Sequence, residues 1–404
     1  MPSVIHPEIK VAEIVQRYPE TRSVFISHGL GALVSEDGMR VLSPFLPLST
    51  ALRSRLISQD TFIDLLHQAI VPEEHVESPG LESYDKQGEL SLLALMPCGL
   101  KMGFGRALTG FLEELEQNQG MAVSYAVEGN VNQELSYYSF VNTINEVSEL
   151  PDIIVSADFN SFFGNRFYKR FVETGLFTGY GSVDPTEAYT NAGIIDPLGH
   201  YHVMGINPLV MVANLDQIGE RQLPQTWQDL LSSQWKRSVT LRGGNGFFCH
   251  AVLLPTYQQY GDDGLRALSA NVFQGLHPSQ MVKQIDANGP GAIYVMPEFF
   301  AHRVKHQERV KIIWPEDGAL ASPVTLQTKA DRIDELRPVL DYLTGPELAQ
   351  SLVGARFPVP HKSVQAEVQN KPLYWLGWDY LRNHDLLALN EEIDRVFMPG
   401  VQIV

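Results

Sequence analysis

The stretch LSLLALMPCGLKM, residues 90–102, decides the fold, because it reads as a buried strand, a glycine turn and the start of a helix. A second glycine turn, RGGNG at residues 242–246, also follows an apolar run and precedes a helix-like stretch. We interpret the pair as two lobes that face one cleft. A helix start leaves backbone N–H groups unpaired and carries partial positive charge, so both turns are predicted to seat an anion or a polar ligand.

Outward from this stretch, short apolar runs alternate with helical patterns. Strands are predicted over residues 90–96, 122–127, 152–157, 207–214, 238–242 and 291–297, and a helix over 101–117. Thr226 is positioned to cap a short helix that begins after Pro224. Such alternation is typical of α/β construction with a parallel sheet.

The N-terminal part has a different pattern. Val11, Ile14, Val15 and Tyr18 recur at helical spacing before Pro19, and a second helical stretch carries Phe25. Residues 71–87 are rich in Glu, Pro, Ser and Gly. We therefore predict a small all-α domain over residues 1–75 and a linker over 76–87.

Composition excludes several classes of protein. The 404 residues carry a net charge of −17, which argues against a nucleic-acid partner and against an anionic-membrane binder. Two cysteines, Cys98 and Cys249, are too few for a disulfide framework or a four-cysteine metal site. No apolar run reaches the roughly 20 residues of a membrane-spanning helix. Since the first residues show no secretory signal, we expect a cytoplasmic protein, or a periplasmic one if a leader precedes this chain.

The candidate binding residues come from four places near predicted strand ends. They are Cys98, Gly99, Leu100 and Lys101; Ser156, Ala157 and Asp158; Gly243, Gly244 and Asn245; and Tyr294, Met296 and Glu298. Open α/β sheets bind ligands at the carboxyl ends of their strands. Other readings stay open: the glycines can serve tight turns, Asp158 can cap a helix, and Glu298 can be a solvated helix start. His200 and His202 share one side of a strand, but no third metal ligand is evident, so no metal and no cofactor are expected.

From residue 88 to about 364 the chain resembles the two-lobed, type 2 periplasmic solute-binding proteins of ABC importers, in the branch that includes ferric-ion binders. The resemblance is carried by NPLVMVAN (207–214), LPQTW (223–227), WPEDGA (314–319) with Ser322 and Pro323, and LTGPE (343–347). It implies a periplasmic-binding-protein-like fold, with lobe 1 over residues 88–206 and 315–404 and lobe 2 over 207–314. It also implies hinges near 205–214 and 312–323, and non-catalytic binding of a small solute, anionic or polar, with a possible ABC permease as partner.

One departure from this family concerns iron. Its ferric binders carry a tyrosine pair at the start of the helix after the strand at 291–297, and we align Val295 and Met296, with Tyr294 upstream, to that pair. Ferric ion requires several anionic oxygens. The chain is therefore not expected to bind iron.

The N-terminal segment is similar to a small uncharacterised helical domain found in anaerobe-type redox proteins. IKVAEIV (9–15), YPET (18–21), Phe25 and HGL (28–30) carry the similarity. Members commonly have a Cys-x-x-Cys after the glycine, where this chain has Ala32 and Ser35. We therefore interpret the domain as an interaction module that docks a protein partner.

Three functions remain as alternatives. The first is a non-catalytic binding protein, either a transporter component or a cytosolic sensor or carrier derived from one. The second is a thiol-dependent or cofactor-biosynthesis enzyme on the same scaffold, since a thiol at a helix N-terminus has a lowered pKa. The third is a scaffold with a vestigial cleft.

Overall fold

A computed structural model describes residues 5–27, 30–35, 39, 43–53, 62–63, 66, 90–97, 99–129, 141, 144–244 and 247–401. The chain divides into two compact units, Met1–Ser83 and Tyr84–Val404. The predicted linker at 76–87 lies outside the described residues.

The described part of the first unit contains short helices. Its helices are α1 (Val11–Arg17), α2 (Arg22–Ser27), α3 (Gly31–Val34) and α4 (Leu48–Arg53). Their apolar faces bury Val11, Ile14 and Phe25 in one core, where the rings of Phe25 and Phe62 meet edge to face at 5.1 Å. The helical spacing read from the sequence thus corresponds to a real core.

The second unit is built on a mixed sheet. Its strands are β1 (Leu90–Met96), β2 (Val123–Gly129), β3 (Ile153–Ala157), β4 (Phe177–Thr178), β5 (His202–Asn214), β6 (Val239–Gly244), β7 (Phe247–Phe248), β8 (Val272–Leu276), β9 (Ile293–Pro297), β10 (Val310–Ile313), β11 (Ala319–Lys329) and β12 (Leu373–Tyr374). The predicted strands all form, with ends shifted by a few residues.

Helices cover this sheet. They are α5 (Lys101–Gln119), α6 (Asn165–Phe167), α7 (Glu187–Ala192), α8 (Leu215–Ile218), α9 (His250–Asn271), α10 (Pro278–Asp286), α11 (Glu298–Ala301), α12 (Ile333–Leu343), α13 (Pro346–Gly354), α14 (Trp378–Asn383) and α15 (Leu386–Phe397). The predicted helix at 101–117 is confirmed as α5.

Two long strands connect the halves of the sheet. The strand order is β2-β1-β3-β11-β5-β9-β6. Pairing is parallel at each side of the sheet, where β1 pairs with both β2 and β3, and β6 pairs with β9. In the middle β11 runs antiparallel to β3 and β5, and β5 runs antiparallel to β9. The sheet is therefore parallel only within its halves, because β5 and β11 cross from one half to the other.

The second glycine turn differs from the expectation. Gly243 and Gly244 end β6 and pair with Phe248 and Phe247 of β7, so the turn closes a hairpin and α9 begins only after Cys249. A Cβ on Gly243 would lie 2.4 Å from the Phe247 carbonyl oxygen. Glycine is required at 243 by this close backbone approach.

Thr226, which was predicted to cap a short helix, begins no α-helix. Its Oγ1 accepts a hydrogen bond from the Asp229 N–H at 3.3 Å, at a short 3₁₀ turn.

The last helix packs on the half of the sheet that contains β6. Ser269 Oγ of α9 donates to the Phe397 carbonyl at 2.6 Å, and His250 Nε2 lies 3.0 Å from Asp394 Oδ1. Phe397 is fully buried against the Phe248 ring. α15 is thus held by α9, a helix of predicted lobe 2.

Candidate functional site

A cavity lies where the crossing strands meet the carboxyl ends of β3, β6 and β9. It is lined by Pro97, Gly99, Ala157, Asp158, Asn207, Arg242, His277, Pro278, Pro297, Phe299, Phe300, Ser322 and Phe357. The lining therefore combines a few polar side chains with aromatic rings and prolines.

An opposite charge pair faces the cavity from both halves of the sheet. Asp158 follows β3 and Arg242 lies near the end of β6, with Asp158 Oδ2 and Arg242 Nη1 4.0 Å apart. Asp158 adopts a left-handed backbone conformation, with φ +69°. Two hydrogen bonds hold this conformation: the Asp158 N–H donates to the Pro323 carbonyl at 2.8 Å, and Asp158 Oδ1 accepts from the Phe159 N–H at 2.9 Å. Both side chains are largely buried. At 4.0 Å the pair is electrostatic and is too long for a hydrogen bond.

The crossing strands contribute two polar side chains. Asn207 of β5 and Ser322 of β11 are register partners, and both are buried. Within the part of the chain that the structure describes, Asn207 Oδ1 has no hydrogen-bond partner. A buried amide oxygen without a partner costs free energy of folding.

His277 also lines the cavity, immediately before α10. Its Nδ1 accepts a hydrogen bond from the Ser279 N–H at 3.2 Å. Burial, together with the nearby Arg242 and Lys283 charges, lowers the pKa of His277 to about 4. The imidazole is therefore neutral at pH 7 and serves as a cap of α10.

Aromatic rings form the apolar side. Phe299 and Phe300 of α11 meet edge to face at 5.3 Å, and the Arg303 guanidinium lies 4.1 Å from the centroid of the Phe299 ring. Phe299 also packs on Gly99, where an added Cβ would lie 2.6 Å from its Cδ1. Gly99 is therefore required because a ring from the other half of the sheet occupies the space beside it.

Several predicted residues do line this cavity: Gly99, Ala157 and Asp158. Ser156 lies one residue back in β3, buried, with its Oγ 3.4 Å from Thr325 Oγ1. Cys98 and Asn245 lie outside the described residues. The strand-end argument thus selected three residues at the edge of the sheet where this cavity lies.

Two backbone amides at the start of α5, which were expected to face a ligand, are already hydrogen-bonded within the turn. Leu100 N–H and Lys101 N–H both donate to the Pro97 carbonyl, at 2.8 and 3.1 Å, because the turn closes on itself before α5. The Leu100 side chain is buried in the core beneath β1. The first turn therefore contributes Gly99 and Pro97 to the cavity, with two of its N–H groups bonded internally.

The other predicted residues lie around the cavity and are not among its lining residues. Gly243 and Gly244 form the hairpin described above. Tyr294 is buried, and its hydroxyl donates to the Pro290 carbonyl at 2.8 Å, while burial raises its pKa. Met296 is buried within β9, and Glu298 is buried against Arg356.

The alignment of the tyrosine pair also requires correction. The helix after the strand at 291–297 is α11, and its first residues are Glu298, Phe299 and Phe300. Val295 and Met296 are strand residues, so they do not occupy the helix start. The rings of Phe299 and Phe300 at that position carry no oxygen. No group of three or more His, Cys, Asp or Glu among the described residues could hold a metal ion.

Sequence reasoning missed most of the polar lining. Asn207, Arg242, His277 and Ser322 were not candidates, although Arg242 stands directly before the glycine turn and Asn207 and Ser322 lie in the motifs that carry the family resemblance. A rule that selects every polar residue at predicted strand ends would have found Arg242. The pairing of Asn207 with Ser322 depends on strand register, which the sequence does not give.

Two α/β halves joined by crossing strands around a polar cavity define the class of two-lobed ligand-binding proteins. The profile of the bacterial extracellular solute-binding protein family matches residues 148–384, more than half of the chain. The chain belongs to this family, and the predicted periplasmic-binding-protein-like fold is confirmed. No curated protein matches the chain significantly.

Solved structures share the fold at low sequence identity. A ferric binding protein from Campylobacter jejuni has a TM-score of 0.55 and 12% identity, covering 77% of this chain and 99% of its own. The Trichodesmium protein IdiA (FutA), solved with iron and citrate ligands, has a TM-score of 0.53 and 14% identity, covering 77% and 98%. An ABC transporter structure from Clostridium perfringens has a TM-score of 0.52 and 17% identity, covering 77% of this chain and 98% of its own.

No helix among the described residues has the length and apolar character needed to cross a membrane.

Proposed function

We propose that this protein binds a small polar solute in the cavity between its two lobes and closes around it, without catalysis. The observation that carries the proposal is Asn207, which lines the cavity and whose buried Oδ1 has no hydrogen-bond partner among the described residues. Asp158 and Arg242 approach the same cavity from opposite halves of the sheet, so a solute placed there would contact both lobes.

Lobe boundaries are part of this proposal. We place lobe 1 at residues 88–206 and 315–385, lobe 2 at 207–314, and hinges near 205–214 and 312–323. The packing of α15 on α9 favours assigning residues 386–401 to lobe 2, which differs from the boundary expected from the sequence. Strands β5 and β11, each shared by both halves, are suited to hinge bending.

Family membership favours work outside the cytoplasmic membrane, delivering solute to an ABC permease. A second candidate is a sensor or carrier, and the separate N-terminal unit, Met1–Ser83, favours it because this unit has its own core and is not needed to form the cavity. We propose that the unit docks a protein partner, in keeping with its resemblance to the small helical domain of redox proteins.

The enzyme alternative has less support. Cys249 precedes α9 but is fully buried, and burial with the nearby Asp158 charge raises the pKa of its thiol to about 11. The thiol is therefore protonated at pH 7 and is a poor nucleophile. Turnover that is lost in Cys98→Ala would favour the enzyme reading.

A thermal-shift screen tests solute binding directly. The full chain is heated with inorganic oxyanions, carboxylates, amino acids, sugars and metal ions, each at millimolar concentration. A solute at ~1,000 times its Kd should stabilise the fold by about 4 kcal/mol. The shift should vanish in Asn207→Leu, which keeps the branching of the side chain and removes the amide, and persist in Asn118→Leu on the exposed side of α5. Silence across the panel, or a shift unchanged in Asn207→Leu, would contradict the proposal.

A further inference from the structure

We propose that Arg356 controls closure of the cleft, because its guanidinium reaches from one lobe to the Glu298 carboxylate of the other, which closure buries. Neither residue is among the described residues that line the cavity, so the pair acts on the position of the lobes and not on the solute itself. This inference rests on the proposed function, since it concerns the movement of the same two lobes.

The two residues are anchored in different halves of the sheet. Glu298 is the first residue of α11 and directly follows β9, which pairs with β5 and β6. Arg356 follows α13, and its neighbours Val353 and Phe357 are buried in one core with β1 and α5. The ion pair therefore joins elements that lie on opposite sides of the proposed hinges.

The buried carboxylate depends on Arg356 for its closest cation. Glu298 Oε1 accepts a hydrogen bond from Arg356 Nη2 at 2.7 Å, and Oε2 has no hydrogen-bond partner among the described residues. Lys371 Nζ lies 3.6 Å from Oε1, longer than a hydrogen bond, and is shared with Glu367 at 3.4 Å. His302 Nε2 lies 3.3 Å away but follows α11, so it moves with Glu298. Since a buried carboxylate without a close cation is costly, Arg356 is the main group that permits its burial.

Both ends of the pair adjoin the cavity. Glu298 stands between Pro297 and Phe299, and Arg356 directly precedes Phe357; these three neighbours all line the cavity. Separation of the lobes at the cavity would therefore withdraw Arg356 from the carboxylate and admit water to it. A carboxylate in water needs no cation, so the closed form needs Arg356 and the open form does not.

The backbone of Arg356 gives a second, independent observation. Arg356 has φ +65°, in the left-handed region. Its N–H donates to the Val353 carbonyl at 2.8 Å, and the Phe357 N–H donates to the Leu352 carbonyl at 3.1 Å, which is the Schellman pattern at the end of α13. Glycine is preferred at this position, because other residues are strained there. Strained residues cluster at functional positions, and the bond to Glu298 accounts for an arginine where the backbone favours glycine.

Distances between the lobes test this role in the full chain without solute. Nitroxides are coupled to p-acetylphenylalanine placed at two exposed positions, Gln117 on α5 and Asp263 on α9, which leaves both cysteines unmodified. Double electron–electron resonance then measures the distribution of separations. The parent should populate mainly the separation of this structure, and Arg356→Gln should lower the ratio of closed to open forms at least about tenfold. A parent that is mainly open, or an Arg356→Gln variant that stays closed, would overturn the inference.

Arg356→Gly is the matched variant, because glycine suits φ +65° and keeps the turn while the guanidinium is removed. It should open as far as Arg356→Gln does. If Arg356→Gln opens and Arg356→Gly stays closed, distortion of the turn separates the lobes and the inference fails. Arg337→Gln, which removes an exposed ion pair within α12, is the control and should match the parent.

The double variant Glu298→Gln, Arg356→Gln tests whether the buried carboxylate is the cause of opening. An amide is neutral, so the closed population should return most of the way to that of the parent. A double variant as open as Arg356→Gln would refute the role of the carboxylate. If Arg356→Gln does not fold, the parent, Arg356→Gly and the double variant Glu298→Gln, Arg356→Gly give the same comparison.

The two proposals fail in different ways. Unchanged separations in the Arg356 variants would refute control of closure, whatever the thermal-shift panel shows. Silence across that panel, with open Arg356 variants and a closed parent, would refute solute binding and leave control of closure standing.

Discussion

At the scale of single residues, the Glu298 carboxylate is buried and contacts two cations and a histidine. Its side chain is 1% exposed, and its Oε1 accepts from Arg356 Nη2 at 2.7 Å and lies 3.6 Å from Lys371 Nζ and 3.3 Å from His302 Nε2. Glu298 follows β9, whereas Arg356 and Lys371 come from segments after β11. This contact therefore joins the two proposed lobes beside the cavity.

Removing one partner of the Glu298–Arg356 ion pair should lower the free energy of unfolding more than removing both partners. Arg356→Gln leaves a buried carboxylate short of its closest cation, so the free energy of unfolding should fall by about 3 kcal/mol. In the double variant Glu298→Gln, Arg356→Gln, the buried carboxylate is gone and most of that loss should be recovered. Urea unfolding of the parent, both single variants and the double variant measures the coupling. Additive losses in the double variant would show that the pair is energetically unimportant.

His202, the first residue of β5, should make stability depend on pH. Burial, together with the nearby His361, lowers its pKa to about 4, from an ordinary value near 6.5. As pH falls through this window the unfolded chain takes up a proton before the folded chain does, so the free energy of unfolding falls between pH 6.5 and 4, by up to about 3 kcal/mol.

The measurement is urea unfolding at several pH values, with His202→Gln as the comparison. This variant cannot take up the proton, so its stability should change less over the same pH window. Parallel curves for the parent and the variant would show that other groups control the pH dependence.

At the scale of elements, α15 is attached to α9 by its buried face. Phe397 is fully buried and packs on the Phe248 ring at 5.3 Å, while Leu387 of the same helix is 55% exposed. Phe397→Ala should lower the free energy of unfolding by about 4 kcal/mol, since it leaves a cavity in the core. Leu387→Ala should change it little. Thermal and urea unfolding of both variants checks the contrast, and equal effects would mean that α15 is loosely packed.

Elements were predictable from sequence where a local pattern is sufficient. The apolar run Leu90–Met96 became β1 with both ends correct, because a buried parallel strand needs only a short apolar segment. The turn at 242–246 was misjudged because a glycine pair fits both a helix start and a hairpin, and only the pairing of Gly243 with Phe248 decides between them. Among the residues that line the cavity, Asp158 was a candidate because it follows a predicted strand end. Asn207 and Ser322, 115 residues apart in sequence, become neighbours through antiparallel register, which no local signal contains.

At the scale of the whole binding unit, the contact between Gly99 and Phe299 can be used to test how closely the two halves of the sheet approach each other across the cavity. Gly99 precedes α5 on one side of the cavity, and Phe299 belongs to α11 on the other. Because an added Cβ at 99 would lie 2.6 Å from the Phe299 ring, Gly99→Ala should hold the halves apart. Gly103→Ala, in the same helix, is the matched control, since nothing lies within 4 Å of its added Cβ.

Small-angle X-ray scattering of the full chain measures this effect. Gly99→Ala should increase the radius of gyration relative to the parent and to Gly103→Ala, because the ring and the new methyl group cannot occupy the same space. The double variant Gly99→Ala, Phe299→Ala removes the ring and should return the radius to the parent value. An unchanged radius in Gly99→Ala would show that the ring moves aside locally, and that contact between Gly99 and Phe299 does not limit closure.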